Sequence, residues 1–262
     1  MVRRCRNYGF SLAEVLIAVG LLAVGLIFIA GVFPVSIYFT TVATERTIAA
    51  AAADEAFAKI KLYAVGNPDN TFGDDDINFG RLKNDELEPN DVNGFTEIFP
   101  AADEIDLREF TYPSTDTELS KKKYFWWALC RRIDDDPNRL LQVTVFVSRR
   151  SNPNLKYHWP VGEDNWPIPV KVGVSTFAGD DEIVINNPDK ITFINDDYTI
   201  VDDETGQIYR VLERYADDPD IVLLDKSWAG SGSIDAEVWV VPSATSGGRY
   251  PCIGVFQKVI RF

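Results

Sequence analysis

Gly9 to Pro34 reads GFSLAEVLIAVGLLAVGLIFIAGVFP, and this stretch decides how the rest of the chain is organised. Glu14 is its one ionisable side chain. At ~1.5 Å per residue, a helix from Phe10 to Phe33 spans roughly 36 Å, enough to cross a bilayer core with some tilt. A secretory signal would have a shorter apolar region with a small-residue cut after it. Here the polar residues Arg3, Arg4 and Arg6 and the small residue Gly9 come before it instead. Positive flanks stay on the cytoplasmic side, so residues after Pro34 are expected to face outward.

The order of these features, a short basic leader ending in Gly9, then Phe10, then Glu14 as the fifth residue of an unbroken apolar helix, resembles the N-terminus of type IV pilin-like proteins. The resemblance rests on GFSLAEVLIA and covers roughly the first 65 residues. It implies that a prepilin peptidase cuts between Gly9 and Phe10 on the cytoplasmic face and that the new N-terminal residue is methylated. It further implies that Glu14 is the assembly carboxylate in a filament whose core is built from such helices. The implied partners are other pilin-like or pseudopilin subunits, the prepilin peptidase, an inner-membrane assembly platform and membrane lipid. Pro34 lies somewhat deeper than the helix-breaking proline of many pilins, and the resemblance gives Cys5 no role.

Physical chemistry reaches Glu14 independently. A carboxylate at the centre of a lipid-facing helix costs ~2.5 to 3.5 kcal/mol on insertion scales and less near the interface, so its presence asks for a partner. The amine of a cleaved Phe10 on a neighbouring subunit is one, and such a pair in a low-dielectric bundle would fix axial stagger. The plainer alternative is a single anchor with Glu14 at headgroup level.

The 262 residues carry a formal net charge of −14, and loss of the leader arginines makes the remainder more acidic still. An acidic surface repels phosphate, so nucleic acid is not an expected partner. Of the three cysteines, Cys5 lies in the leader. Cys130 and Cys252 remain, and an even pair in an exported domain is a candidate disulfide, the alternative being two separately buried thiols.

Along the chain, residues 1–9 read as the leader, 10–33 as the transmembrane and assembly helix, and 34–65 as its amphipathic continuation. In that continuation Ala49, Ala53, Phe57, Ile60 and Ala64 recur at helical spacing. The alanine run 49–53 suits close packing on a sheet, and Pro34 is expected to kink or loosen the helix. Residues 66–123 form a polar, acidic variable region with one short helix expected near 103–110. From 124 to 262 the pattern is antiparallel β. YFWWALC and LLQVTVFVSRR, separated by an Asp-rich turn, read as a hairpin that resembles the sheet of minor pseudopilins. Eight shorter strand-like runs follow in an all-β extension: VKVGVSTF, EIVI, KITFI, YTIV, QIYRVL, DIVLL, AEVWVV and CIGVFQKVIRF. YTIVDDETGQIYRVL is the clearest unit, with Gly206 placed for a tight turn.

An enzyme reading finds little to stand on. His158, in KYHWPVG, is the single histidine, and the sequence has no Walker loop, no GxSxG and no HExxH. Acidic clusters are the feature suited to a ligand. Calcium takes six to eight oxygens, and Asp202, Asp203 and Glu204 are the calcium candidates, set against the simpler reading of charged turns. No cofactor is required. Six tryptophans are present, and strand alternation puts Trp126 and Trp127 on opposite faces, so one of them is expected to meet solvent or a neighbour.

The expected fold is α+β and pilin-like: a long N-terminal α-helix packed on an antiparallel β-sheet, with a β-rich C-terminal extension. The expected function is structural, a minor pseudopilin or minor pilin in the inner membrane, incorporated into a type II secretion pseudopilus or a type IV pilus-like filament. Glu14 argues against a pseudopilus tip subunit, which typically lacks this carboxylate. The alternative is a calcium-dependent binding or adhesion module carried on a pilin-type helix.

Overall fold

The structure, a computed structural model, describes residues 11–66, 96–97, 110–113, 122–132, 140–150, 152, 154–158, 166–230 and 232–261. Gly9, Phe10, Cys5, Ala64's side chain, Trp159, residues 103–109 and the acidic runs 74–76 and 134–136 lie outside the described residues. The chain divides into two compact units, Met1–Thr47 and Ile48–Phe262.

In the first unit, helix α1 (Leu12–Gly66) begins one residue after Ser11 and runs through Pro34. Its apolar side chains are bare: Leu12, Ile27, Phe28 and Phe39 are all exposed. It is the one helix among the described residues long and apolar enough to cross a membrane. Beyond Pro34, which withholds an N–H from the helix, hydroxyls turn back onto carbonyls four residues earlier. Ser36 Oγ donates to Val32 at 3.1 Å, Thr40 Oγ1 to Ser36 at 2.8 Å, and Thr44 Oγ1 to Thr40 at 2.8 Å. Such bonds hide polar groups within the helix, as an apolar surrounding demands.

In the second unit, α1 from Ala49 to Ile60 buries Ala49, Ala52, Ala53, Ala56, Phe57 and Ile60. These side chains share one core cluster with an antiparallel sheet made of β1 (Thr96–Glu97), β2 (Thr111–Tyr112), β3 (Tyr124–Arg132), β4 (Leu140–Arg149) and β11 (Cys252–Arg261). The order is β1-β3-β4-β11, with β2 also on β3. Alternation puts Trp126, Ala128 and Cys130 opposite Val147, Val145 and Val143, and all six join the alanines of α1. Small side chains on the helix let its backbone lie close to this valine-rich face. Lys258 on β11 closes the seam, reaching Asp54 at 2.7 Å while its ammonium sits 4.6 Å from the centre of the Phe57 ring.

Between β4 and β11 the chain builds a second, closed six-stranded barrel. Its strands are β5 (Val170–Thr176), β6 (Glu182–Ile185), β7 (Thr199–Asp202), β8 (Ile208–Arg214), β9 (Ile221–Leu224) and β10 (Ala236–Val240), in the order β10-β5-β6-β9-β8-β7. Closure leaves no unpaired edge. Val172, Val174, Ile183, Ile200, Val222 and Val238 fill the interior. The far face of the first sheet, through Leu129 and Phe146, packs against Val201, Trp239 and Val241 of this barrel segment.

The α+β fold is as expected, with four corrections. The last strand-like run, CIGVFQKVIRF, belongs to the first sheet: β11 pairs with β4 from Cys252 opposite Ser148 to Arg261 opposite Leu140. The β extension is therefore an insertion in that sheet. KITFI is not a strand; Pro188–Phe193 is a 3₁₀ helix, because Asn187 caps the Asp189 amide at 3.0 Å and Pro188 presets the first helical φ. Trp126 and Trp127 are only 2% and 5% exposed, so neither is a surface contact; both lie in the cluster that includes α1, with the Phe110 ring centre 4.7 and 6.1 Å from theirs.

The fourth correction concerns the expected disulfide. Cys130 and Cys252 are free and buried. Cys130 lies opposite Val143 and Cys252 opposite Ser148, on the two flanks of β4 and separated along it by roughly 17 Å at ~3.4 Å per residue, whereas a bridge needs Cα atoms within about 7 Å. Burial pushes each thiol up to about 12. The stability this burial of neutral thiols contributes is present below the unfolded value near 9.0 and is lost as pH rises toward about 12. Iodoacetamide at pH 8 is therefore expected to label neither cysteine in the folded protein and both after denaturation without reductant. Labelling only after reduction would show a bridge.

Candidate functional site

The first turn of α1 holds the residue expected to carry assembly. Ser11 N–H donates to Glu14 Oε2 at 2.8 Å, and Glu14 N–H donates to Ser11 Oγ at 3.2 Å. This reciprocal pair is a capping box, in which N-cap serine and the glutamate three residues on satisfy two of the helix's orphan donors. The positive end of the helix dipole favours an anion in the same turn. Both side chains are exposed, so nothing else in the described chain covers this carboxylate. The expected cleavage pair, Gly9 and Phe10, lies just ahead and outside the described residues. Ser11 was missed as a site residue, although Ser-x-x-Glu before an apolar run is a legible capping signal.

The calcium candidates sit elsewhere, at the β7–β8 turn. Asp202 is 1% exposed and accepts from the amides of Glu204 and Thr205, both at 3.2 Å, and from the Thr205 hydroxyl. Asp203 Oδ1 accepts from Trp239 Nε1 at 2.6 Å, and its Oδ2 from Lys171 Nζ at 3.2 Å; the same ammonium donates to Glu237 at 2.8 Å. Burial works against the charge on Lys171, but Glu237 and Asp203 outweigh it and raise its pKa. Glu204 contributes its carbonyl, which accepts from Arg131 Nη1.

These bonds make the turn a docking pin for the barrel on the first sheet. Arg131 Nε also donates to Gln142 Oε1 at 2.6 Å, and Gln257 Nε2 donates to the Gly206 carbonyl and to Thr144 Oγ1, each at 2.9 Å. Gly206 has φ +69°, a left-handed conformation that favours glycine, and a Cβ there would stand 2.7 Å from the Gln142 side-chain amide and push it aside. A calcium ion at Asp202 and Asp203 would have to displace the turn amides, Trp239 and Lys171. Among the described residues no group of three or more His, Cys, Asp or Glu side chains converges. His158 lies 4.2 Å from the Phe193 ring, and partial burial lowers its pKa.

Residues 4–30 match the family described as the prokaryotic N-terminal methylation motif. No curated protein and no solved structure matches the chain. The motif points to a pilin-type structural subunit processed by prepilin peptidase and held in the membrane by one helix. With this motif at the head of a long apolar helix and antiparallel sheets behind it, the chain fits a type IV pilin-like protein.

Proposed function

We propose that the chain is a minor pseudopilin or minor pilin, cut between Gly9 and Phe10 and built into a type II secretion pseudopilus or a type IV pilus-like filament. The observation that carries this reading is the methylation motif over residues 4–30 set on a helix whose apolar side chains from Leu12 to Phe39 are exposed among the described residues. Lipid covers that surface before assembly, and helices of neighbouring subunits cover it afterwards. The leader arginines hold the N-terminus in the cytoplasm, and the sheet and barrel stand on the far side of the inner membrane. The alanine-lined second half of α1 stays with its own sheet, leaving the first half for partners.

Photo-cross-linking in whole cells tests this reading. A photoreactive residue at Leu21, exposed in the apolar half of α1, is expected to give adducts with other pilin-like subunits. Recovery of lipid adducts alone, with every pilin-like subunit present in the cell, would contradict incorporation.

A further inference from the structure

β11 is paired on one side only. From Gly254 opposite Val147 to Arg261 opposite Leu140 it keeps an unbroken antiparallel register with β4, and among the described residues no strand lies on its other side. The barrel closes on itself, and the short strands β1 and β2 cover two places on the outer edge of β3, so this run is the longest uncovered strand edge among the described residues. In an antiparallel ladder every second residue turns its N–H and C=O away from the partner strand, and such a row is a template for another extended backbone. Proteins blunt long edges with proline or a bulge. β11 has no proline, and its one irregularity lies ahead of the run, between Cys252 and Gly254.

The side chains along this edge define what fits beside it. Phe256 and Ile260 are half-buried against the α1 cluster, and Lys258 stands between them on the same face, over the Phe57 ring and bonded to Asp54. On the opposite face Val259 is 58% exposed. β3, β4 and β11 contain no Asp or Glu, so these strands offer Lys258 no acidic cross-strand neighbour. An ammonium has three donors, and the bond to Asp54 leaves capacity for a second carboxylate. Opposite charges directly across a strand pair attract, and like charges repel. A strand laid along this edge therefore fits when one of its faces is apolar beside Phe256, acidic beside Lys258 and apolar again beside Ile260.

We infer that the outer edge of β11 from Gly254 to Arg261 is a strand-addition site, and that its occupant is an extended segment of a neighbouring pilin-like subunit with this apolar, acidic, apolar alternation. The inference rests on the filament reading, which brings the neighbour. It adds a contact outside the helix core, one that extends the sheet and covers Val259.

Photo-cross-linking from Val259 of the full chain in whole cells tests it, beside the probe at Leu21. Adducts with a pilin-like subunit are expected, and peptide mass spectrometry should place the partner's linked residue in an alternating apolar and acidic segment. Lys258→Glu should lower the Val259 yield about five-fold and Lys258→Gln about three-fold, within the range that a cross-strand charge pair spans, while Lys258→Arg stays within about 1.5-fold of the native chain. Lys258→Glu also faces Asp54, so Lys258→Gln, which repels neither carboxylate, keeps the test decisive should the reversal unfold the sheet. Leu21 adducts should persist in all three variants.

Leu21 adducts without any from Val259 would overturn strand addition and leave the filament reading standing. Loss of both in the native chain would remove the filament reading, and this inference with it. Native-level Val259 adducts in Lys258→Gln and Lys258→Glu, or adducts only with proteins that are not pilin-like, would overturn the occupant named here.

Discussion

Glu14→Leu is expected to cut cross-linking to other pilin-like subunits at least ten-fold while the amount of protein in the membrane stays the same or rises. In lipid the substitution removes a cost of up to ~2.5 to 3.5 kcal/mol, so insertion cannot suffer. In a filament it removes the partner of a neighbour's ammonium, and deleting one member of a buried ion pair costs ~3 to 5 kcal/mol, of which a factor of about ten is a conservative share. The capping box is lost as well, but leucine is a strong helix former and the helix continues for many turns beyond. The outer sheet and barrel are untouched, so their thermal unfolding should not move. Equal cross-linking in the two proteins would reduce α1 to an anchor.

The largest stability effect is expected at Phe125. Its side chain is fully buried in β3, stacked on Trp166 with ring centres 5.0 Å apart and 5.7 Å from the Trp127 ring, with Phe110 at 6.4 Å. Phe125→Ala removes both the burial and these ring contacts. Phe→Ala in a core typically costs ~3 to 5 kcal/mol, because neighbours collapse only partly into the space. For a part of this size that corresponds to a fall in Tm of roughly 10 °C. Tryptophan fluorescence of the detergent-solubilised protein measures it directly, since Trp127 and Trp166 line the site. A shift below about 2 °C would mean that this aromatic cluster does not hold the sheet.

How much of this was legible in the chain differs by element. The membrane helix was readable because an uninterrupted apolar run is a local signal, and the alanine face because Ala49, Ala53, Phe57 and Ile60 keep helical spacing. The hairpin of β7 and β8 was readable from alternation and Gly206. Barrel closure was not, because alternation identifies strands without naming their partners: β10 pairs with both β5 and β7, and β11 returns to β4 across more than a hundred residues. KITFI misled because a five-residue segment with three apolar side chains suits a strand or a tight helix equally, and the Asn187-Pro188 start decides between them.

The cysteines show the same limit. An even count in an exported domain favours a bridge, but only the register on β4 reveals that Cys130 and Cys252 stand too far apart. Trp126 and Trp127 are both buried in the cluster that includes α1, with the Phe110 ring against each of them. What local pattern could not supply was Phe110, which the fold brings against both rings from outside the hairpin. At the N-terminus the reverse holds: Ser11 and Glu14 were both in plain view, and the assembly role assigned to the carboxylate hid its simpler role as a helix cap.

The processed N-terminus tests the central claim most directly. Mass spectrometry of the protein extracted from membranes is expected to find a chain that begins at an N-methylated Phe10, with Gly9 and the arginines before it gone. An intact Met1, or a chain cut near Ala30 on the far side of the apolar run, would contradict it.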